Sequence, residues 1–164
     1  MIRMMAALAA MISLAASAHA QEMSDAERLA RDYMEHYSAV DWDGMEAFLA
    51  EDVVFADTTA MGENYGPDGI HFESREEAMA MLRQFGAQFQ PIELGFVWET
   101  IFESNGRVVF MGHVNALYPT EQDGQVFRWR AEQVAVITVR DGVIVRHEDF
   151  ANYAAPERGL VAAD

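Results

Sequence analysis

The chain has 164 residues, with 27 acidic against 11 lysine or arginine side chains and a formal charge of −16 at neutral pH. That length is one domain's worth, and such an acidic balance argues against nucleic acid or anionic lipid as a partner. Cysteine and lysine are both absent, which excludes thiol nucleophiles, thiolate metal sites, disulfides and lysine Schiff bases. The acids are scattered along the chain rather than blocked, so they read as a solubilising surface rather than a dock for a basic partner.

Residues 1–20 read as a secretory signal. Arg3 supplies the positive start, residues 4–16 are an apolar run too short to span a bilayer, and Ala18-His19-Ala20 is a small-x-small cleavage site. Residues 21–164 are then expected to be a single exported domain, periplasmic or secreted, with no membrane attachment after cleavage.

Ser24-Asp25-Ala26-Glu27 is a capping box, and Ala26, Leu29, Ala30, Tyr33, Met34 and Tyr37 follow at helical spacing. A first helix to about Ala39 is predicted. Asp41-Trp42-Asp43-Gly44 breaks it, and Met45, Phe48 and Leu49 mark a short second helix. A strand is predicted from Val53 to about Asp57, then a glycine-rich loop over residues 59–73. Ser74-Arg75-Glu76-Glu77 is a second capping box, opening a third helix through Ala78, Met81, Leu82, Phe85 and Phe89. From Pro91 onward the pattern is strand and turn.

Asn105-Gly106, Asp123-Gly124 and Asp141-Gly142 are hairpin turns. Counted as two-residue turns, they align Trp98, His113, Val134 and Asp149 in one row across four strands. Thr100, Met111, Val136 and His147 form the next, and Phe96, Asn115, Glu132 and Ala151 the row on the other side; a longer loop at Pro119-Thr120 would put Gln133 in place of Glu132. Ile92, Leu94, Phe96, Trp98 and Phe102 share an apolar face, which should look to the core and take His113 and Asn115 with it. The opposite face, with Val108, Phe110, Val114 and Tyr118, is also apolar, so a homodimer through Phe110 and Tyr118 is expected. The final strand puts His147 and Asp149 on one inward face, where burial is costly without a partner or a use.

These elements, with Arg31-Asp32-Tyr33, the run from Asp41 to Phe55, Arg140-Asp141-Gly142-Val143-Ile144 and the closing Asp149-Phe150, resemble the nuclear transport factor 2-like superfamily. Within it the chain is most similar to the SnoaL-like and ketosteroid isomerase-like branch. The resemblance spans residues 21–164 and implies an α+β fold: a cone-shaped barrel of three N-terminal helices on a curved, mainly antiparallel sheet, with an apolar pocket and commonly a dimer. By resemblance to the steroid isomerases, Tyr33 matches a hydrogen-bond donor, Asp57 a base, and Glu132 loosely a second acid. By resemblance to limonene epoxide hydrolase, Asp149 matches a final-strand carboxylate, while His113 and Asn115 stand where that family has an arginine and an aspartate.

The expected function is binding of a small organic molecule, with acid–base isomerase, cyclase or hydratase/hydrolase chemistry. Asp57, His113, Asp149 and Tyr33 are the catalytic candidates, and Trp98, Phe96, Met111, Asn115, Glu132 and His147 the binding ones. The plainer alternative is a ligand-binding or dimerisation module without chemistry, in which Asp57 caps its loop, Tyr33 packs and His113 is a satisfied core residue. No cofactor is expected. His113, His147 and Asp149 are metal-ligand types, but no diagnostic spacing joins them, so no metal is expected either.

Overall fold

Ser24 opens helix α1 (Asp25–Ser38): its hydroxyl accepts the Glu27 amide at 3.1 Å, and the helix buries Ala30, Tyr33, Met34 and Tyr37. The computed structural model describes residues 22–60 and 69–163, so the leader and its cleavage site lie outside the described residues. Asp41 caps α2 (Trp42–Glu46) by accepting the Gly44 amide at 3.1 Å. The Asp41–Gly44 tetrad therefore starts the second helix as well as ending the first, and Leu49 already belongs to strand β1 (Leu49–Asp57). The expected loop contains strand β2 (Ile70–Phe72), paired antiparallel to β1. Ser74 caps α3 (Arg75–Phe89) as predicted, accepting the Glu77 amide.

Five strands follow: β3 (Val97–Ser104), β4 (Arg107–Pro119), β5 (Gln125–Arg140), β6 (Val143–Ala151) and β7 (Glu157–Ala162). The sheet runs β2-β1-β6-β5-β4-β3, with β7 on the first half of β5. Among the described residues only β1 and β6 pair in parallel; every other pairing is antiparallel. The expected α+β arrangement is present, and its sheet stays open, ending at β2 and β3. Among the described residues no helix is long and apolar enough to cross a membrane.

Two hairpins turn where predicted. Asn105 and Gly106 have φ of 52° and 74°, and Asp141 and Gly142 51° and 79°, both central residues left-handed as the tight twisted turn requires. Ser104 faces Arg107 and Arg140 faces Val143. The middle loop is longer than two residues: its last ladder pair is Pro119 with Val126, so His113 faces Glu132 rather than Val134.

The expected rows fail further along, at two one-residue bulges. Trp98 pairs Gly112 and Thr100 pairs Met111, leaving Glu99 extra on β3. Thr138 pairs Arg146 and Val139 pairs Ile144, leaving Val145 extra on β6. Each bulge reverses which alternate residues face the core. Phe96 and Trp98 on β3, and His147 and Asp149 on β6, look inward as predicted. On β4 and β5 the inward residues are instead Val108, Phe110, Val114, Ala116, Ala131, Ala135 and Ile137, all buried. His113, Asn115, Met111 and Glu132 therefore lie on the outer face, a correction to their predicted placement. Phe102, past the Glu99 bulge, also turns outward, and is 48% exposed.

Gly112 makes the first bulge possible. A Cβ there would sit 2.0 Å from the Val97 carbonyl oxygen, so only glycine lets β3 fold over it. The core fills the space between the helices and the inner sheet face, where Tyr33, Met34, Met45, Phe55, Met79, Phe110 and Ile144 join one cluster. Phe110 is fully buried within the one chain. Burying such a side chain contributes roughly 1.5–3 kcal/mol. The expected dimer surface through Phe110 is thus unavailable to a second subunit, because the chain's own helices occupy it.

Candidate active site

A cavity of about 700 Å³ opens between α3 and the inner face of the sheet. Met81, Leu82, Phe85 and Phe89 supply the helical wall, and Phe55, Phe96, Phe127 and Trp129 much of the opposite one. The carboxylates of Asp57 and Asp149, the hydroxyls of Tyr37 and Tyr153 and the amide of Gln133 interrupt this apolar lining. No Arg or His lines it among the described residues.

The parallel pairing of β1 with β6 brings the two carboxylates together. Asp57 and Asp149 are Cα partners in that ladder, both buried. Neighbouring strands are about 4.8 Å apart. Asp57 Oδ1 accepts the Thr59 amide at 3.0 Å and the Thr59 hydroxyl at 2.7 Å, while Oδ2 accepts the Tyr153 hydroxyl at 2.7 Å. The Thr59 hydroxyl oxygen also accepts the Ala151 amide at 2.8 Å, tying the end of β1 to the end of β6.

Asp149 is held differently. Its Oδ2 accepts the Tyr37 hydroxyl at 3.2 Å and lies 2.9 Å from His147 Nε2. That nitrogen is close but off the line of a hydrogen bond, so Nε2 and Asp149 Oδ1 are both buried without a hydrogen-bond partner among the described residues. His147 Nδ1 lies 2.6 Å from the Tyr33 hydroxyl. The imidazole is fully buried and ringed by Tyr33, Tyr37 and Phe55, with centroids 5.5, 5.2 and 4.4 Å away. Burial, and then the Asp149 charge, raises both tyrosine hydroxyls well above their usual value, so they remain donors.

The predicted candidates thus divide. Asp57, Asp149 and Phe96 line the cavity. His147 and Tyr33 form a buried layer behind Asp149. Trp98 stacks on Phe96, centroids 5.2 Å apart, and packs on Phe110 without reaching the cavity wall. His113 and Asp149 are on opposite faces of the sheet, so the predicted contact between them does not exist. His113 instead has Nδ1 3.8 Å from Glu99 Oε1, and Glu132 accepts from Asn152 at 3.4 Å, both on the outer face. Met111 and Asn115 share that face, Asn115 opposite Arg130.

Sequence reasoning missed Tyr37, Trp129 and Tyr153 as lining residues, and left the register between Glu132 and Gln133 open. Tyr37 could have been found, since it lies one helical turn beyond Tyr33 on the same face. Gln133 replaces Glu132 because β5 presents its odd-numbered residues inward at that level.

A helical layer on an open sheet, enclosing an apolar cavity with paired carboxylates, defines an α+β fold with an internal pocket. The SnoaL-like domain family matches residues 30–147, and the chain belongs to that family. Solved structures agree on the fold. A putative SnoaL-like polyketide cyclase from Shewanella putrefaciens superposes with a TM-score of 0.68 at 20% identity, covering 93% of this chain and 94% of that one. A Δ5-3-ketosteroid isomerase from Mycobacterium sp. gives 0.65 at 18% identity, over 83% and 99% of the two chains. An LEH-like epoxide hydrolase from M. tuberculosis gives 0.58 at 16%, over 81% and 86%. No curated protein sequence matches the chain.

Proposed function

We propose that the chain binds a small, mainly apolar carbonyl-bearing or cyclic molecule in this cavity and performs acid–base chemistry on it, with Asp149 as the proton-transferring group. The observation that carries this reading is the unequal holding of the two pocket carboxylates. Among the described residues Asp57 receives three donors, while Asp149 receives one and keeps a buried oxygen without a partner. Asp57 has the better claim to holding the strand ends together, and Asp149 to accepting a proton.

In the simplest step a C–H bond next to a carbonyl breaks. The proton goes to the Asp149 carboxylate and the electron pair moves into the carbonyl group, forming an enolate. Return of the proton at another carbon gives an isomer and restores Asp149. The balance needs no oxidant, reductant or cofactor. The apolar wall supports this chemistry by excluding water, which strengthens every polar contact inside. The related structures named as a polyketide cyclase and a ketosteroid isomerase support a carbonyl-bearing or cyclic substrate.

The test is solvent deuterium incorporation into a panel of ketosteroid probes, with epoxide hydrolysis run in parallel. Exchange or turnover by the native chain that disappears in Asp149→Asn supports the reading. Tight probe binding with neither exchange nor turnover, unaltered in Asp149→Asn, identifies a ligand-binding module instead. We further propose export: mass spectrometry of the expressed protein should find Gln21, or its cyclised form, at the N-terminus. An intact Met1 leader on exported protein would refute this.

A further inference from the structure

We propose that Tyr33 and His147 are positioning residues for Asp149: Tyr33 fixes the imidazole tautomer, and His147 then presents an N–H to the Asp149 carboxylate from behind the cavity. This deepens the proposed reading of Asp149 as the proton-transferring group and rests on it.

The argument starts with the Tyr33 hydroxyl. It is buried, and among the described residues its one hydrogen-bond partner is His147 Nδ1, at 2.6 Å. A buried phenol must donate its proton or leave it unsatisfied. It therefore donates to Nδ1, which must carry a lone pair. A neutral imidazole with an acceptor at Nδ1 has its proton at Nε2. Nε2 is the atom 2.9 Å from Asp149 Oδ2. The contact is off line, and a small rotation of either side chain brings it onto line.

The consequence is a carboxylate with two faces. Tyr37 and His147 both approach Oδ2, while Oδ1 is buried and has no hydrogen-bond partner among the described residues. Oδ1 is the oxygen with no donor to compete with an incoming proton. Neither positioning residue touches the substrate: His147 and Tyr33 are absent from the cavity lining. A carboxylate that orients a histidine is a familiar arrangement; here a tyrosine orients a histidine, which orients the carboxylate.

Two variants separate positioning from mere packing. His147→Gln keeps an amide oxygen for Tyr33 and an amide N–H for Asp149, whereas His147→Leu keeps neither. Tyr33→Phe removes only the hydroxyl that sets the tautomer. For whichever probe is turned over, kcat should fall by about tenfold or more in Tyr33→Phe and His147→Leu. KM should change little, and His147→Gln should recover most of the rate. Side-chain nitrogen NMR of the native chain supplies a readout independent of turnover. It should show the Nε2–H tautomer, and Tyr33→Phe should introduce the Nδ1–H form. A native Nδ1–H tautomer overturns the proposal even if Asp149 is catalytic. So does a Tyr33→Phe variant with unchanged kcat. If no probe is turned over, the catalytic reading fails while NMR still decides the tautomer, so the two failures are distinguishable.

Discussion

Asp57 and Asp149 face each other as partners on parallel strands, yet one carboxylate is saturated with donors and the other is half bare. Equivalent positions in the backbone have become unequal positions in chemistry. Asparagine scanning should expose the difference. In Asp57→Asn one acceptor oxygen becomes an NH₂ group facing a donor from Thr59 or Tyr153. A buried polar group left without its partner costs about 1–3 kcal/mol. Asp149→Asn can keep its oxygen toward Tyr37 and place its NH₂ where no bond existed, so its cost should be smaller. Urea melts of both variants measure this, and the reverse order would show that the acceptor roles are misassigned.

The two buried tyrosines predict an alkaline limit on stability. Tyr33 and Tyr37 are raised above the ordinary value of 10.0, first by burial and then by Asp149. The unfolded chain gives up these protons near pH 10.0 while the folded chain retains them. Their contribution is therefore complete below that pH and is lost as pH rises toward the folded values. Melting temperature should fall as pH rises above 10.0, with the tyrosinate absorbance of these two residues appearing only on unfolding. The slope should be shallower in Tyr33→Phe. A tyrosinate signal from both residues in the native chain at pH 10.0 would contradict their burial.

Gly112→Ala tests the bulge. Its Cβ would lie 2.0 Å from backbone on β3, whereas at Gly159 an added Cβ meets nothing within 4 Å. The expected loss at Gly112 is about 1–3 kcal/mol or more, as for other overpacked sites. Gly159→Ala is the control, expected near zero. Equal effects at the two positions would mean that β3 does not cross Gly112 as described.

Association should use the outer face. Phe102, Met111 and Phe150 are 48%, 40% and 39% exposed there, an apolar surface that the chain's own helices do not cover. A homodimer through this face is the expected assembly, replacing the face around Phe110. Light scattering at micromolar concentration should give a dimer, shifted toward monomer by Met111→Glu without loss of fold. A monomeric native chain sinks the prediction.

The helices and both tight hairpins were legible because their signals are local. Ser24 and Ser74 cap through side chains three residues from their amide partners, and Asn105-Gly106 and Asp141-Gly142 select their turn by backbone sterics. Asp57 and Asp149 were also found, Asp57 through the family resemblance and Asp149 on the inward face that it shares with His147 beyond the Val145 bulge. What failed was propagation. Counting residues from a turn assumes an unbroken ladder, and the extra residues Glu99 and Val145 reverse the faces beyond them. Gly112, a lone glycine inside a strand pattern, was the one local sign of the first bulge. Val145 gives no such sign, because it continues an apolar run. His113 went to the wrong face for this reason, although its strand was placed correctly.

The last strand has a consequence for solubility. β7 covers Gln125–Arg130 of β5, and its entry is pinned by Glu157 to Arg130 at 3.2 Å. Without β7, that stretch of β5, with Val126, Phe127 and Trp129, would present an unpaired backbone edge to any other chain. Six residues at the end of the sequence thus act as a stopper. Proteolytic clipping before Glu157 would leave the cavity's lining residues in place but turn the molecule into a template for strand-to-strand aggregation.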